Sequence, residues 1–353
     1  MNLPNEVHQY ASNASDDEDP IIVRYMGTLG RVLFYDENLS SDNTISCASC
    51  HQQSIAFSDN LDFIKGPKGR VTERNSIALG AVRSFADNYS NNNGFGGSSR
   101  TAPKFFWDER ADDILEQMSQ TINNPKEMDV DMEQIRQRIE EEEFYTILSK
   151  KAFGTTRPSA GMILRSLATF VNSISTSQSR FDNATHLYAF NYRFGDTPGF
   201  SDKENIGMVT FIEHCSACHG GSLNEEIQNE FQFDNLHVAN NGLELDYEDH
   251  GMATHTNNPS DVGVFKIPGL RNIELTAPYM HDGRFDTLEE VIDFYSEGIQ
   301  DHPNLSRHLK AEDGQPKKMN LTQEEKDGLI ALLQMLTDDE MTQEDKWSDP
   351  FLR

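Results

Sequence analysis

All four cysteines of the chain stand in two copies of one pattern, Cys47-Ala48-Ser49-Cys50-His51 and Cys215-Ser216-Ala217-Cys218-His219. Two thiols separated by two residues and followed at once by an imidazole can form thioethers to both vinyl groups of a haem while the histidine reaches its iron. A zinc site or a pair of disulfides would also use cysteines, but neither requires a histidine at the fifth position of both copies. A thioredoxin-type pair would need neither His51 nor His219. The pattern therefore predicts two covalent haem c groups, the first on Cys47, Cys50 and His51 and the second on Cys215, Cys218 and His219.

The elements that must carry these turns read as helices. The stretches ADDILEQMSQTI, DMEQIRQRIEEEEFYTILSKKAF, MILRSLATFVNSI, LEEVIDFYSEGI and EEKDGLIALLQML all place apolar residues three and four apart, whereas sustained alternation is scarce. The two halves also repeat an order of features. Gly30 and Phe34 precede the first cysteine pair, and Trp107-Asp108-Glu109-Arg110 precedes Leu115-Glu116-Gln117. Gly207 and Phe211 precede the second pair, and His281-Asp282-Gly283-Arg284 precedes Leu288-Glu289-Glu290. The expected fold is mainly α, with two tandem cytochrome c-like haem domains and long loops: a domain over 1–182, with roughly the first 20 residues flexible, and a domain over 183–353. The segment NYSNNNGFGGSSR, Asn88 to Arg100, is the clearest loop, since Asn, Gly and Ser favour irregular backbone and bury little. It is a candidate flap.

A length of 353 residues suffices for two cores. The hydrophobic fraction of 36% is low, but porphyrins replace side chains in such interiors. No run approaches the roughly 18 apolar residues of a membrane span. The start, MNLPNEVHQY, has neither the basic nor the apolar region of a signal peptide; since haem c is attached outside the bacterial cytoplasm, a removed leader and a periplasmic or cell-surface location are expected. The net charge of -28 reads either as a solvated surface or as an attraction for a basic protein partner, weakened as salt rises, and it disfavours nucleic acid.

Several separated motifs carry a family resemblance. The two haem turns, FFWDERADDILEQ followed by NNPKEM, and IPGLRNIELTAPYMHDGRFDTLEEVIDFY together resemble the bacterial dihaem cytochrome c peroxidases and their MauG branch, over about residues 25 to 335. The resemblance implies a peroxide-reacting first haem, an electron-transferring second haem and a calcium ion between the domains. Carried over by position, Trp107 resembles the family's tryptophan between the haems; Gln117 and Glu127, ten and twenty residues later, match its peroxide-pocket glutamine and acid; and Asn75, Thr276 and Pro278 match the calcium site. Two departures are Glu109, where the family often has Gly, and Thr121, where it commonly has Pro.

Peroxide chemistry needs a sixth iron position that is empty or can be emptied. Between Gln52 and Phe106 there is no His and no Met, so the first haem is expected to be open, with Lys65 or Lys68 as a minor competitor for the iron. Glu127 would move a proton between the peroxide oxygens, a task suited to an enclosed carboxyl, although a glutamate is more often a surface residue. Gln117 would orient the peroxide, and Trp107 would relay charge or serve as plain core.

For the second haem, the peroxidases carry methionine eight residues after the threonine of the T-L-E-E segment; that position here is Tyr295, as in the MauG branch. A phenolate stabilises ferric and higher-valent iron, a thioether ferrous iron. Met280, Met252, His255 and His281 are the competing candidates for this ligand. The resemblance thus implies a MauG-like enzyme that uses hydrogen peroxide to reach a high-valent iron state and oxidises a partner protein's side chain, tryptophan in that branch. Two different functions compete with it: a cytochrome c peroxidase fed by a small cytochrome or cupredoxin, and a dihaem electron carrier, which the open first haem argues against.

Electron paramagnetic resonance of the resting diferric holoprotein is expected to show one high-spin and one low-spin haem. Two low-spin haems with nitrogenous axial ligands would contradict the open first site.

Overall fold

In α1 (Pro20–Tyr35) the Asp19 side chain caps the free Ile21 amide at 2.8 Å, and Pro20, which has no amide hydrogen to satisfy, occupies the first turn. The computed structural model describes residues 19–80, 104–176, 178–188, 196–219 and 238–351. Residues 1–18 of the roughly 20 expected to be flexible, and the candidate flap at 88–100, lie outside them. The described residues form a mainly helical fold in two compact units, one drawn from 1–102, 111–175 and 340–353 and the other from 103–110 and 176–339. The chain thus crosses between the units more than once.

The first unit continues with α2 (Cys47–Cys50), α3 (Ile114–Asn123), α4 (Met132–Glu141), α5 (Glu143–Phe153) and α6 (Ala160–Ser173). The expected helix over 131–153 is broken at Glu142, whose backbone is extended, within the like-charged run Glu140 to Glu143. Leu29, Leu33 and Phe34 of α1 pack with Ile163, Phe170 and Val171 of α6, all but excluded from solvent. The helices can approach this closely because Gly30 has no side chain: a Cβ there would lie 1.9 Å from the Ser166 carbonyl oxygen. The C-terminal segment closes this core. Trp347, 3% exposed, donates its indole N–H to Ser173 Oγ at 3.1 Å, and the Tyr35 hydroxyl donates to the Trp347 carbonyl at 2.7 Å.

The second unit contains α7 (Arg180–Tyr188), α8 (Asp202–His214), α9 (Ser216–His219), α10 (Ala253–Thr256), α11 (Leu288–Asp293) and α12 (Gln323–Gln334). A short antiparallel pair, β1 (Val238–Ala239) and β2 (Phe265–Lys266), aligns Val238 with Lys266. Reciprocal caps start α8, α11 and α12: Ser201 with Glu204, Thr287 with Glu290 and Thr322 with Glu325. Met208, Phe211, Leu288, Ile292, Leu329 and Leu332 form the centre of its core, and Cys215 packs against it. Here too a glycine sets the helix crossing, since a Cβ on Gly207 would lie 2.0 Å from the Gly328 carbonyl oxygen. The repeated Gly-x-x-x-Phe therefore has one physical basis in both units: the glycine admits a second backbone, and the phenylalanine one turn later fills the core below the crossing. In each unit the helix so anchored leads to a haem-attachment turn.

Gly30→Ala and Gly207→Ala are each expected to lower stability by about 1–3 kcal/mol, because overpacking outweighs the helix preference of alanine. Urea unfolding of the holoproteins measures this, and an unchanged midpoint would contradict the close-approach role.

Candidate functional site

The first attachment turn is a single helical turn ending in a directed imidazole. Ser49 Oγ accepts from the Ser46 amide at 3.0 Å, and the His51 amide closes the turn onto the Cys47 carbonyl at 3.0 Å. His51 Nδ1 lies 3.0 Å from the Phe57 carbonyl oxygen. With that carbonyl as acceptor, Nδ1 carries the proton and the Nε2 lone pair is left for iron. The carbonyl is aimed by a tight turn in which Ala56 and Phe57 both take left-handed backbone, at φ 58° and 57°, while fully buried. Burial, with a smaller contribution from the charge of Glu127, pushes the Cys47 thiol up to about 12. Both thiols are free of disulfides, and the arrangement fits a covalently held haem.

That electrostatic effect also locates Glu127, whose charge raises Cys50 as well as Cys47. Asn124 Nδ2 donates to Glu127 Oε1 at 2.6 Å, while Asn124 Oδ1 accepts from the Lys126 amide at 3.0 Å, so both ends of that amide are oriented. The turn is backed by Gly66, where a Cβ would lie 2.1 Å from the Lys126 carbonyl oxygen. Gln117 projects from α3 and donates to Thr121 Oγ1 at 3.1 Å. Lys68 pairs with Asp129 at 2.7 Å, and Lys65 is exposed. Lys68 is thus held by a carboxylate of its own.

The second attachment turn follows α8, with the Cys215 amide bonded to the Phe211 carbonyl at 2.8 Å and the His219 amide to Cys215 at 3.0 Å. Burial pushes the Cys215 thiol up to about 12 and the His219 ring down to about 4, the latter opposed by the Pro268 carbonyl. His219 Nδ1 has no well-formed hydrogen bond, so that carbonyl acts on it as a weaker dipole. An enclosed neutral imidazole beside two enclosed thiols again fits haem c.

Tyr295 lies in the π-helical turn Phe294–Gly298 that continues α11, a local widening frequent at functional sites. Burial pushes its hydroxyl up to about 12, opposed by a hydrogen bond from Asn241 and reinforced by Cys218 and Cys215. The phenol therefore belongs to the surroundings of the second attachment turn. Asn241 Nδ2 donates to Tyr295 Oη at 3.3 Å and also approaches Met280 Sδ at 3.8 Å. Two of the remaining candidate ligands have partners of their own: His255 Nε2 lies 2.7 Å from the Asp108 carbonyl oxygen, and the buried His281 ring stacks on Phe265 at 3.8 Å, while Met252 stands at the N-terminal cap position of α10.

Trp107, 9% exposed, belongs to this second unit. The Lys266 amide donates to the Trp107 carbonyl at 2.6 Å, and Lys266 Nζ reaches the Lys104 carbonyl at 2.9 Å and Glu109 Oε1 at 3.3 Å. The Arg110 guanidinium lies over the Phe106 ring at 3.5 Å. These contacts involve the residues on either side of the indole.

Asn75 is buried in the first unit, where it donates to the Leu61 carbonyl at 3.1 Å; Thr276 and Pro278 are buried in the second, where the Thr276 hydroxyl lies 3.3 Å from the Ile273 carbonyl. Among the described residues no cluster of three or more His, Cys, Asp or Glu is placed to hold a metal ion, and no helix is long and apolar enough to cross a membrane.

Residues 25–187 match the family model described as di-haem cytochrome c peroxidase. The cytochrome c551 peroxidase of Nitrosomonas europaea is 31% identical over 272 residues, covering 76% of this chain and 72% of that protein. The chain belongs to the di-haem cytochrome c peroxidase and MauG family. It is an oxidoreductase of a haem peroxidase family that acts on hydrogen peroxide. The methylamine utilization protein MauG of Methylorubrum extorquens is 29% identical over 319 residues, with 87% of this chain and 77% of that protein covered. A crystal structure of a MauG-like protein associated with microbial copper homeostasis superposes with a TM-score of 0.75, at 28% identity and 99% coverage of both chains. Relatives thus fall on both sides of the family's division.

The structure gives the two departures from the family pattern a local purpose. Glu109, 8% exposed, pairs with the equally buried Lys266, and Thr121 supplies the hydroxyl that engages Gln117. Sequence reasoning missed Lys266 and Asn241. The only signal for Asn241 is the turn sequence Asn240-Asn241-Gly242, in which Gly242 takes φ 72°.

Glu127→Gln is expected to preserve haem content and slow formation of the peroxide-derived state by roughly a hundredfold, the usual scale for a lost proton shuttle. Single-turnover mixing measures the rate, and an unchanged rate would remove Glu127 from the mechanism.

Proposed function

We propose that this enzyme is MauG-like: it uses hydrogen peroxide to oxidise a side chain on a partner protein, a tryptophan by analogy with the MauG branch. The observation that carries the reading is the enclosed phenol of Tyr295, held by Asn241 within the electrostatic reach of Cys215 and Cys218. An anionic oxygen ligand favours oxidised iron over reduced iron. Such a ligand suits withdrawal of electrons from a protein substrate better than collection of electrons from a high-potential donor.

The two haems, when bound, supply the reduction of peroxide and the storage of its two oxidising equivalents. The chain supplies proton movement and position. Glu127 takes the proton from the inner peroxide oxygen and returns it to the outer one, so that the O–O bond breaks with water as the leaving group. Gln117, steadied by Thr121, orients the peroxide. Trp107, held by Lys266 and its pairing with Glu109, relays charge. Calcium binding and a periplasmic or cell-surface location belong to the same reading, as does a basic face on the partner, given the net charge of -28.

One observation favours a conventional cytochrome c peroxidase instead: Met280 Sδ approaches the same Asn241 amide as the phenol. Tyr295→Met separates the two readings. Under the MauG-like reading it is expected to abolish oxidation of the protein substrate while raising peroxide turnover with a reduced small cytochrome. If the unmodified enzyme turns over rapidly with that cytochrome, and Tyr295→Met leaves its optical spectrum and peroxide-derived state unchanged, the peroxidase reading replaces it.

A further inference from the structure

Asn241 is oriented before it meets either Tyr295 or Met280. Its Oδ1 accepts from the Leu243 amide at 3.2 Å, which turns Nδ2 toward Tyr295 Oη at 3.3 Å and Met280 Sδ at 3.8 Å. The neighbouring Asn240 Oδ1 accepts from the Gly242 amide at 2.8 Å. Beyond the π turn, the Gln300 amide donates to the Gly242 carbonyl at 2.9 Å, and Gln300 Nε2 donates to the Leu243 carbonyl at 3.0 Å. The loop bearing Asn241 and the turn bearing Tyr295 are thus fastened to each other. Met280 takes φ 74°, a left-handed backbone that an unbranched non-glycine residue adopts only where its surroundings require it.

A hard oxygen and a soft sulfur therefore converge on one amide nitrogen. The oxygen is the better partner for an N–H donor and the shorter contact, so the amide favours the arrangement in which the phenol is fixed and the thioether stands beside it. The sulfur is the better ligand for reduced iron. The geometry points to Met280 as a reserve axial ligand of the second haem, with Asn241 as the positioning residue that keeps Tyr295 in the ligand place and Met280 out of it.

This inference rests on the reading of Tyr295 as the resident ligand and adds a second occupant of the same position. With the haem bound, Tyr295 oxygen would hold ferric iron; on one-electron reduction by a donor such as a small redox protein, that oxygen would take up a proton from solvent and release the iron, and Met280 sulfur would take its place. The exchange consumes one electron and one proton and leaves Met280 itself unoxidised.

The test uses the full-length holoprotein with its haem content measured, and compares Tyr295→Phe, Met280→Leu, the double variant and Asn241→Leu. Electron paramagnetic resonance and near-infrared magnetic circular dichroism of the ferric form, and optical and resonance Raman spectra of the dithionite-reduced form, read the ligand. Tyr295→Phe removes only the hydroxyl and is expected to leave the second haem low-spin, now with a sulfur-to-iron charge-transfer band. Adding Met280→Leu is expected to abolish that band and make the same haem high-spin. Asn241→Leu is expected to give ferric protein a mixture of oxygen and sulfur ligation at undiminished haem content, a redistribution that simple loss of packing would not produce. A high-spin second haem in Tyr295→Phe alone would overturn the reserve role while leaving Tyr295 the resident ligand. An unmodified protein that already shows the sulfur band, unchanged in Tyr295→Phe, would overturn both this inference and the MauG-like reading.

Discussion

A histidine that follows a C-x-x-C turn presents one ring nitrogen to iron most firmly when the other is held by a partner of its own. In the first unit that hold comes from one hydrogen bond, between His51 Nδ1 and the Phe57 carbonyl at 3.0 Å. It requires two consecutive buried residues in left-handed backbone, Ala56 and Phe57. Phe57 in turn packs against Phe34, ring centres 6.1 Å apart, and Phe34 lies one turn beyond the glycine that lets α1 meet α6. Helix crossing, aromatic core and imidazole direction form one mechanical chain. The second unit repeats its beginning, with Gly207 meeting Gly328 and Phe211 filling the core, but lacks a well-formed partner on His219 Nδ1. The histidines thus share a sequence pattern and differ in how strongly their rings are fixed.

The same contrast runs through the residues around the two turns. Near the first, short polar side chains orient one another: Asn124 sets Glu127, and Thr121 sets Gln117. Near the second, the groups are enclosed and their chemistry follows from burial, which keeps the Cys215 thiol and the Tyr295 phenol protonated far above neutral pH in the absence of bound iron. A phenol so enclosed gives up its proton readily only to a strong Lewis acid, which is what ferric iron provides. Under the proposed MauG-like reading, proton traffic would fall to the first site and anionic ligation to the second.

Much of this was legible in the sequence wherever the chemistry is local. The haem turns need only five consecutive residues, so their spacing announces them, and the apolar periodicity of α3, α6 and α12 lies on the observed helices. The periodic stretch after Leu288 continues into a π turn rather than a regular helix, a change of pitch that apolar spacing does not reveal. Two helices went unannounced although their signals were present: Asp19-Pro20 at the start of α1, and the Ser201–Glu204 box at the start of α8. The roles of Asn241, legible only as part of an Asn-Asn-Gly turn, and of Lys266, which carries no local signal, were hidden because their partners Tyr295 and Glu109 stand 54 and 157 positions away. A buried polar contact over that separation is created by the fold and leaves no local pattern.

The central claim is that Tyr295 oxygen, and not a sulfur or a nitrogen, binds the second iron in the ferric enzyme. Resonance Raman spectroscopy of the ferric holoprotein, excited in its phenolate-to-iron charge-transfer band, tests it most directly. The account predicts tyrosinate ring modes that shift when the protein is made with ring-deuterated tyrosine and vanish in Tyr295→Phe. Ferric holoprotein with both haems in place and no tyrosinate modes, or with modes that survive Tyr295→Phe, would contradict it.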